Sequence, residues 1–455
     1  MAKPRRGDRI TITVDDLAFG GEGVGRTGGY VVFVRGGLPG DRVVVRMIET
    51  RARFGRAEIE TVEEPSAHRV AAPCAYFGRC GGCRLQHMNY SGQLAFKEKQ
   101  VRDCLQRLGG LGEFELRPIL PAPQIFGYRN KMEFTVAGTA GEPRIGLHEA
   151  DRYDVVLDID RCLLQSDTMN VLLEEVDRQL RARQVSVYDQ ASGTGLLRFV
   201  TLREGRRTGE TMINIVGAAP DVEALIPVAE ALRARVAGLA SVVLNVNGQQ
   251  ASVAVGTEER LLGGRRHITE RLDGLTFQVS ANSFFQTNTL QAERLFEVVA
   301  AASGLEGGET LMDLYSGTGA ISLLLAGRCR HVYGLEVSEA AVADAVRNAA
   351  ANGITNCTFL AGEVRHVLPA LLAQGVRADV AVADPPRAGF HPKALKALAA
   401  LGPERIVYVS CNPATLARDV GDLVQGGYVL TWVQPVDMFP HTPHIEAVAR
   451  LSRRA

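Results

Sequence analysis

Three residues of reactive type stand where strand-like runs end. Cys411 follows the run in Val407-Tyr-Val-Ser-Cys-Asn-Pro413. A thiol at a strand end beside a ligand crevice is a candidate nucleophile, although most such cysteines are small buried apolar residues. Asp384 heads Asp384-Pro-Pro-Arg387 after VAVAD, where the Pro-Pro pair makes a rigid loop suited to holding a base or simply to turning. His441-Thr-Pro-His-Ile-Glu446 gathers two imidazoles and a carboxylate before the last strand-like run. Asp313-Leu-Tyr-Ser-Gly-Thr-Gly-Ala320 follows a buried strand and opens a helix, so Gly317 and Gly319 let a ligand approach backbone N–H groups. Glu336 ends the next strand, near the roughly 20-residue spacing at which a carboxylate accepts adenosine ribose hydroxyls. The third glycine of the dinucleotide pattern is missing, which favours a methyltransferase-type site over a nicotinamide dehydrogenase.

These groups together suit one chemical problem. Carbon 5 of uracil is too poor a nucleophile to take a methyl group from S-adenosylmethionine directly. Thiolate addition at carbon 6 generates an enolate whose carbon 5 can attack, after which a base removes the carbon 5 proton and the thiol leaves.

Such a constellation needs a scaffold, and the rest of the chain supplies one. At 455 residues the expectation is about three domains. With 46% hydrophobic and 22% charged residues, the composition excludes a mainly disordered or collagen-like chain. Lys+Arg and Asp+Glu balance at 51 each, so basic surface must be sought locally. Residues 1–60 carry 11 basic against 8 acidic residues, and residues 79–131 carry 9 against 4, excesses that suit RNA phosphates or a solvated face. No run approaches the roughly 18 apolar residues of a spanning helix, and the start has no apolar signal core, so a cytoplasmic protein without membrane association is expected.

Residues 1–62 alternate short β-rich runs with Gly-rich turns, the pattern of a small OB-like antiparallel barrel; Arg42, Arg46, Arg51, Arg53 and Arg56 give it a basic flank. Residues 63–264 read as an α+β domain. Within it, Leu94, Val101, Leu105 and Leu108 form a helical stripe, helices are expected near 169–183 and 222–236, and Cys104 is a buried small hydrophobe. Phe126, Tyr128, Arg129 and Lys131 are placed either to clamp flipped-out bases or to cap a strand. After Gly263-Gly264, residues 265–455 alternate strand and helix, which predicts a doubly wound, Rossmann-like parallel sheet. Cys74, Cys80 and Cys83 are spaced C-x5-C-x2-C, with Cys162 a candidate fourth thiolate; four thiolates suit structural zinc or an iron–sulfur cluster, and spacing does not choose between them.

DLYSGTGA, DPPRAG, VSCNPATLARD and DMFPHTPHIE resemble the motifs of the RNA uracil-5-methyltransferases, especially the bacterial 23S ribosomal RNA branch, and the likeness runs nearly end to end. The first sixty residues resemble the TRAM domain, an RNA-binding barrel. The resemblance implies Cys411 as nucleophile and Glu446 as the base, with Gln286, Tyr315, Glu336 and Asp384 lining the S-adenosylmethionine and uracil site. It also implies a 4Fe–4S cluster on Cys74, Cys80, Cys83 and Cys162. Many relatives have Asn at the position of Ala320, so only backbone contact is expected there. A radical enzyme is disfavoured, because C-x5-C-x2-C departs from the C-x3-C-x2-C of those enzymes and a fourth Cys closes the site. The expected partner is RNA, ribosomal in preference to transfer RNA, and the expected state a monomer. Two rival readings remain, a nicotinamide dehydrogenase and a non-catalytic RNA-binding protein on the same fold.

Overall fold

The computed structural model describes residues 3–249 and 253–454. Strands β1 (Arg9–Leu17), β2 (Gly23–Thr27), β3 (Tyr30–Arg35), β4 (Arg42–Thr50) and β5 (Phe54–Glu64) form a closed barrel in the order β1-β2-β3-β5-β4. Alternation of apolar and polar residues turns Ile12, Val14, Val32, Val34, Val43, Val45 and Met47 inward to fill it. Gly25 is required by close approach, since a Cβ there would lie 2.5 Å from the Thr13 carbonyl oxygen. The expected basic flank is interleaved with acids. Arg42 pairs with Glu63 at 3.0 Å, Arg46 with Glu60 at 3.4 Å, Arg51 with Glu49 at 2.5 Å and Arg56 with Glu22 at 3.5 Å. Arg53 has no such pair among the described residues and stays exposed.

Helix α1 (Tyr90–Arg107) starts at Asn89, whose side chain accepts from Gly92 N. Val101 and Leu105 of the predicted stripe are buried, but Gln93 and Lys97 continue the buried face in place of Leu94, and Leu108 is 65% exposed just past the helix end. The reason is that half of this face meets a polar loop, described below, and only the other half meets a core. Cys104 is half-buried against that core. The short β6 (Glu115–Leu116) follows α1.

The α+β unit comprises β7 (Lys131–Gly138), β8 (Pro143–Glu149), β9 (Arg152–Asp158), α2 (Asp167–Ala182), β10 (Leu197–Glu204), β11 (Thr211–Gly217), α3 (Val222–Arg235), β12 (Leu239–Val246) and β13 (Glu258–Gly264), with sheet order β13-β12-β11-β10-β7-β8-β9. Both helices share one core with the sheet. Strands β10 and β11 are buried at every position because their other face is covered as well. The hairpin β14 (His267–Leu272) and β15 (Leu275–Ser280) helps to cover it and leads into α4 (Thr289–Ser303).

The last unit runs β16 (Thr310–Leu314), α5 (Ala320–Ala326), β17 (His331–Glu336), α6 (Glu339–Ala351), β18 (Cys357–Ala361), α7 (Val364–Ala373), β19 (Val380–Ala383), α8 (Pro392–Leu401), β20 (Arg405–Ser410), α9 (Pro413–Gln425), β21 (Tyr428–Val436) and β22 (Glu446–Arg453). The described strands form a sheet in the order β18-β17-β16-β19-β20-β22-β21-β6. Strands β16 to β20 are parallel and nearly all apolar, as expected of strands with helices on both faces. The strict alternation predicted from sequence stops there: β22 is antiparallel to β20 and β21, and β6 adds alongside β21. With α1 against α9, the 90–116 segment packs on this sheet.

Candidate active site

The parallel strands deliver their carboxyl ends to one edge, and each expected reactive residue lies there. β20 ends at Ser410, so Cys411 is the next residue. Because β22 runs the other way, its first residue is Glu446. The register pairs Ser410 with Ala447, so Cys411, just past β20, and Glu446, at the start of β22, lie on adjacent strands at the same edge. The charges agree with this placement. Burial pushes the Cys411 thiol up to about 11, Glu446 and Asp384 push it the same way, and Arg387 opposes them. Glu446, only 5% exposed, is raised well above the usual carboxylate range by burial and then by Asp384, again against Arg387. Burial, then Asp313, pushes Asp384 up to about 7. Cys411, Glu446, Asp384 and Arg387 thus lie near enough for their charges to act on one another. Arg387 was within a quoted motif but had no role assigned from sequence.

The loop between Asp384 and Phe390 is fixed by the residues after Cys411. Asn412 Nδ2 donates to the Arg387 carbonyl at 3.2 Å, and the Thr415 hydroxyl to the same oxygen at 3.3 Å. Arg418 donates to the carbonyls of Ala388 and Phe390. Buried Asp419 accepts from Phe390 N at 2.8 Å and from the Tyr408 hydroxyl at 2.6 Å. The VSCNPATLARD motif thus encodes the hold on DPPRAG. Sequence reasoning passed over Asn412, Thr415, Arg418 and Asp419, whose regular spacing after Cys411 along a helix was the available signal.

At the glycine loop, Gly317 and Gly319 take left-handed φ of 54° and 82°, and Tyr315, at 68°, does so without being glycine. Such strain costs on the order of 1–3 kcal/mol and concentrates at functional sites. A Cβ at Gly317 would meet nothing within 4 Å, whereas one at Gly319 would lie 3.0 Å from Ala345. Gly317 thus leaves room for a ligand and Gly319 is demanded by packing. Glu336 accepts from Gly317 N at 3.0 Å and Ser338 N at 2.9 Å. Beneath the loop, Asp313 Oδ1 and Ser316 Oγ are buried without a hydrogen-bond partner. Tyr315 packs edge-on against Phe390 at 5.5 Å. Gln286 lies in the 282–288 loop, which touches the glycine loop through Thr318 Oγ1 and the Phe284 carbonyl.

Cys74, Cys80, Cys83 and Cys162 line one cavity of about 270 Å³. Burial raises all four thiols, Cys83 up to about 12. Among the described residues no three His, Cys, Asp or Glu side chains are grouped to hold a metal ion. Arg129 faces the cavity with Nε unpaired. Of the two roles weighed for the 126–131 segment, the structural one agrees with the packing: Tyr128 is 2% exposed, Arg129 is half-buried beside the thiols, and Phe126 stacks on His441. This segment is consumed in holding neighbouring loops.

Known proteins agree with the geometry. Residues 229–454 match the family model described as tRNA (Uracil-5-)-methyltransferase, and residues 3–59 match the TRAM domain. A Halalkalibacterium halodurans protein named an uncharacterized RNA methyltransferase is 38% identical, over 99% of this chain and 98% of its own. A Gloeobacter violaceus protein of the same description is 41% identical, over 98% and 97%. The chain belongs to the RNA uracil-5-methyltransferase family. Among solved structures, the Pyrococcus abyssi tRNA (uracil-54, C5)-methyltransferase in complex with S-adenosyl-L-homocysteine is 32% identical with a TM-score of 0.77, covering 97% of this chain and 99% of that one. The protein is an S-adenosylmethionine-dependent RNA uracil-5-methyltransferase with an N-terminal TRAM barrel. No helix among the described residues is long and apolar enough to cross a membrane.

Proposed function

We propose that this enzyme methylates carbon 5 of a specific uridine in 23S ribosomal RNA through a covalent adduct to Cys411, with Glu446 as the base. The observation that carries the reading is the Ser410–Ala447 register, after which Cys411 and Glu446 follow on adjacent strands at the same edge of the sheet. In the reaction Cys411 Sγ bonds to carbon 6, carbon 5 takes the methyl group from the sulfonium and S-adenosylhomocysteine departs. Glu446 then takes the carbon 5 proton, the carbon 5–carbon 6 double bond returns, and Sγ leaves as thiolate. Arg387 favours the thiolate. Asp384 and Glu446 are the carboxyl groups near the thiol that could receive its proton. The methyl donor fits the glycine loop: Gly317 leaves open space, Glu336 serves the ribose, Tyr315 and Gln286 flank the site, and the unpaired Asp313 and Ser316 oxygens supply polar contacts.

We assign the cysteine cavity to a 4Fe–4S cluster, as the family resemblance implies. The four thiols that line one space supply the ligand number such a cluster takes. The half-buried Arg129 would offset the negative charge of four thiolates. Its role in this reading is structural: bound to all four thiols, it would tie the 74–83 loop to Cys162. Cys74→Ser should lose the iron absorbance; unchanged iron content would sink the assignment.

A second reading is supported by the Pyrococcus neighbour, a tRNA (uracil-54, C5)-methyltransferase that covers 97% of this chain and so spans the barrel as well. Incubating the enzyme with methyl-tritiated S-adenosylmethionine and unmodified ribosomal or transfer RNA, then mapping the label, separates the two. Label in 5-methyluridine of 23S RNA supports the first reading. Label only in transfer RNA supports the second, and no label in either overturns both. In either case we read the protein as a cytoplasmic monomer organised as 1–62, 63–264 and 265–455.

A further inference from the structure

The loop joining β21 to β22, residues 437–445, ends on Glu446; besides its own turn around Thr442 it is held by several distant parts of the chain. Every carbonyl from Met438 to His441 accepts a donor from another part of the chain. Asn288 Nδ2 reaches Met438 O at 2.9 Å, Lys97 Nζ reaches Phe439 O at 3.1 Å and the Tyr128 hydroxyl reaches Pro440 O at 3.0 Å. The N–H groups of Arg84 and Leu85 both reach His441 O at 3.0 Å. Asp437, fully buried, accepts Lys97 Nζ at 2.6 Å, and Lys97 itself is 2% exposed.

His441 is the strained point of this loop, with a left-handed φ of 66°. Gln93 grips it from both sides. Gln93 Oε1 accepts His441 N at 2.8 Å, and Gln93 Nε2 lies 3.1 Å from His441 Nδ1. The amide orientation is fixed, because Oε1 accepts from His441 N. The two Nε2 hydrogens are shared among the carbonyls of Leu85 and Met88 and the His441 Nδ1 lone pair, which leaves no acceptor for a proton on Nδ1. Nδ1 is therefore the acceptor and the imidazole is neutral, in keeping with burial driving His441 down to about 4. The Phe126 ring covers it at 4.1 Å.

Stability alone does not account for this arrangement. A buried ion pair rarely outperforms an apolar pair of the same volume, because both charges lose their water. What a buried pair with directed hydrogen bonds supplies is a single geometry. We propose that Gln93 and Lys97 of α1 are positioning residues for the proton removal: they fix the 437–441 backbone and thereby the place of Glu446 at the start of β22. The inference rests on the reading of Glu446 as the base. The step affected comes after methyl transfer, so the clamp controls release of the methylated adduct rather than capture of the methyl donor.

The test compares wild type, Gln93→Ala, Lys97→Met and Glu446→Gln, each as the full chain, with S-adenosylmethionine and whichever unmodified RNA accepts the methyl group. Measured are kcat, KM for S-adenosylmethionine, and the fraction of folded enzyme trapped as methylated covalent adduct on a denaturing gel. A displaced base is expected to cost about 10–100-fold in kcat. In both α1 variants kcat should fall by that much, KM should stay within about twofold, and the adduct should rise toward the level in Glu446→Gln. Wild-type kcat and adduct per folded molecule, whatever the melting temperature, would overturn the proposal. Should Lys97→Met fail to fold, Gln93→Ala decides alone, since it leaves the ion pair intact. Adduct accumulating in Glu446→Gln but not in Gln93→Ala rejects the clamp only, whereas no adduct in Glu446→Gln rejects the base and the clamp with it.

Discussion

Cys411 and Asp384 are held by neighbours in their own motif, through Asn412, Thr415, Arg418 and Asp419. The loop ahead of Glu446 is held by residues as far as 348 positions away, across the boundary between α1 and the sheet. The nucleophile side of the site is thus a local construction, encoded by one strand, one turn and one helix. The base side depends on the cysteine segment, on α1 and on the 126–131 strand entry, all of which must fold before the loop is defined. Mutations on the first side should act on formation of the adduct, and mutations on the second on its release.

The largest effect expected is from Cys411→Ala, which removes the bond to carbon 6. Methyl transfer should fall by on the order of 10⁴-fold or more in kcat with S-adenosylmethionine binding retained, read by single-turnover kinetics and calorimetry. A residual rate within about tenfold of wild type would break the local side of the comparison. Next comes Asp419→Ala, which strips the buried acceptor from Phe390 N and the Tyr408 hydroxyl. It should cost about 2–4 kcal/mol of stability and about 10²-fold in kcat/KM, without adduct accumulation. Accumulation there would erase the distinction between the two sides.

Asp384→Asn isolates the electrostatics. The Asp384 carboxyl rises from 3.8 to about 7 on folding, so the native state holds the proton more tightly than the unfolded chain. Its contribution is fully favourable below pH 3.8 and is lost as pH climbs toward 7. The asparagine variant should therefore gain about 2–4 kcal/mol over wild type at pH 8 and nothing near pH 4, measured by denaturant titration, while losing activity. A gain that is the same at both pH values would remove the burial argument. The smallest effect concerns the barrel. Arg53→Ala should lower the salt slope of RNA binding by about one, whereas Arg42→Ala, already neutralised by Glu63, should lower it by less.

How much of this was legible in sequence follows the same division. Barrel, parallel sheet, glycine loop and the positions of Cys411 and Glu446 at strand ends rest on short-range patterns of apolar period and turn residues, and these could be read directly. The antiparallel return of β22 could not, because a final strand looks alike in either direction, yet that return is what brings Glu446 to the same edge as Cys411. The α1 stripe is legible only at Val101 and Leu105, for a related reason. Leu94 and Leu108 fit an apolar period, but the helix turns Gln93 and Lys97 inward to meet a polar loop far along the chain. Likewise Tyr128 and Arg129 look like surface residues for RNA in a linear reading. Only the fold shows Tyr128 buried on Pro440 and Arg129 half-buried beside the thiols. The barrel arginines looked basic because acids on neighbouring strands come beside them only when the barrel closes.

The most direct test of the account is intact-mass measurement of Glu446→Gln and Cys411→Ala after reaction with S-adenosylmethionine and unmodified RNA. The account predicts that Glu446→Gln carries a stable methylated RNA adduct on the peptide containing Cys411, and that Cys411→Ala carries none. An adduct on another residue, or rapid turnover by Glu446→Gln without any adduct, would contradict it.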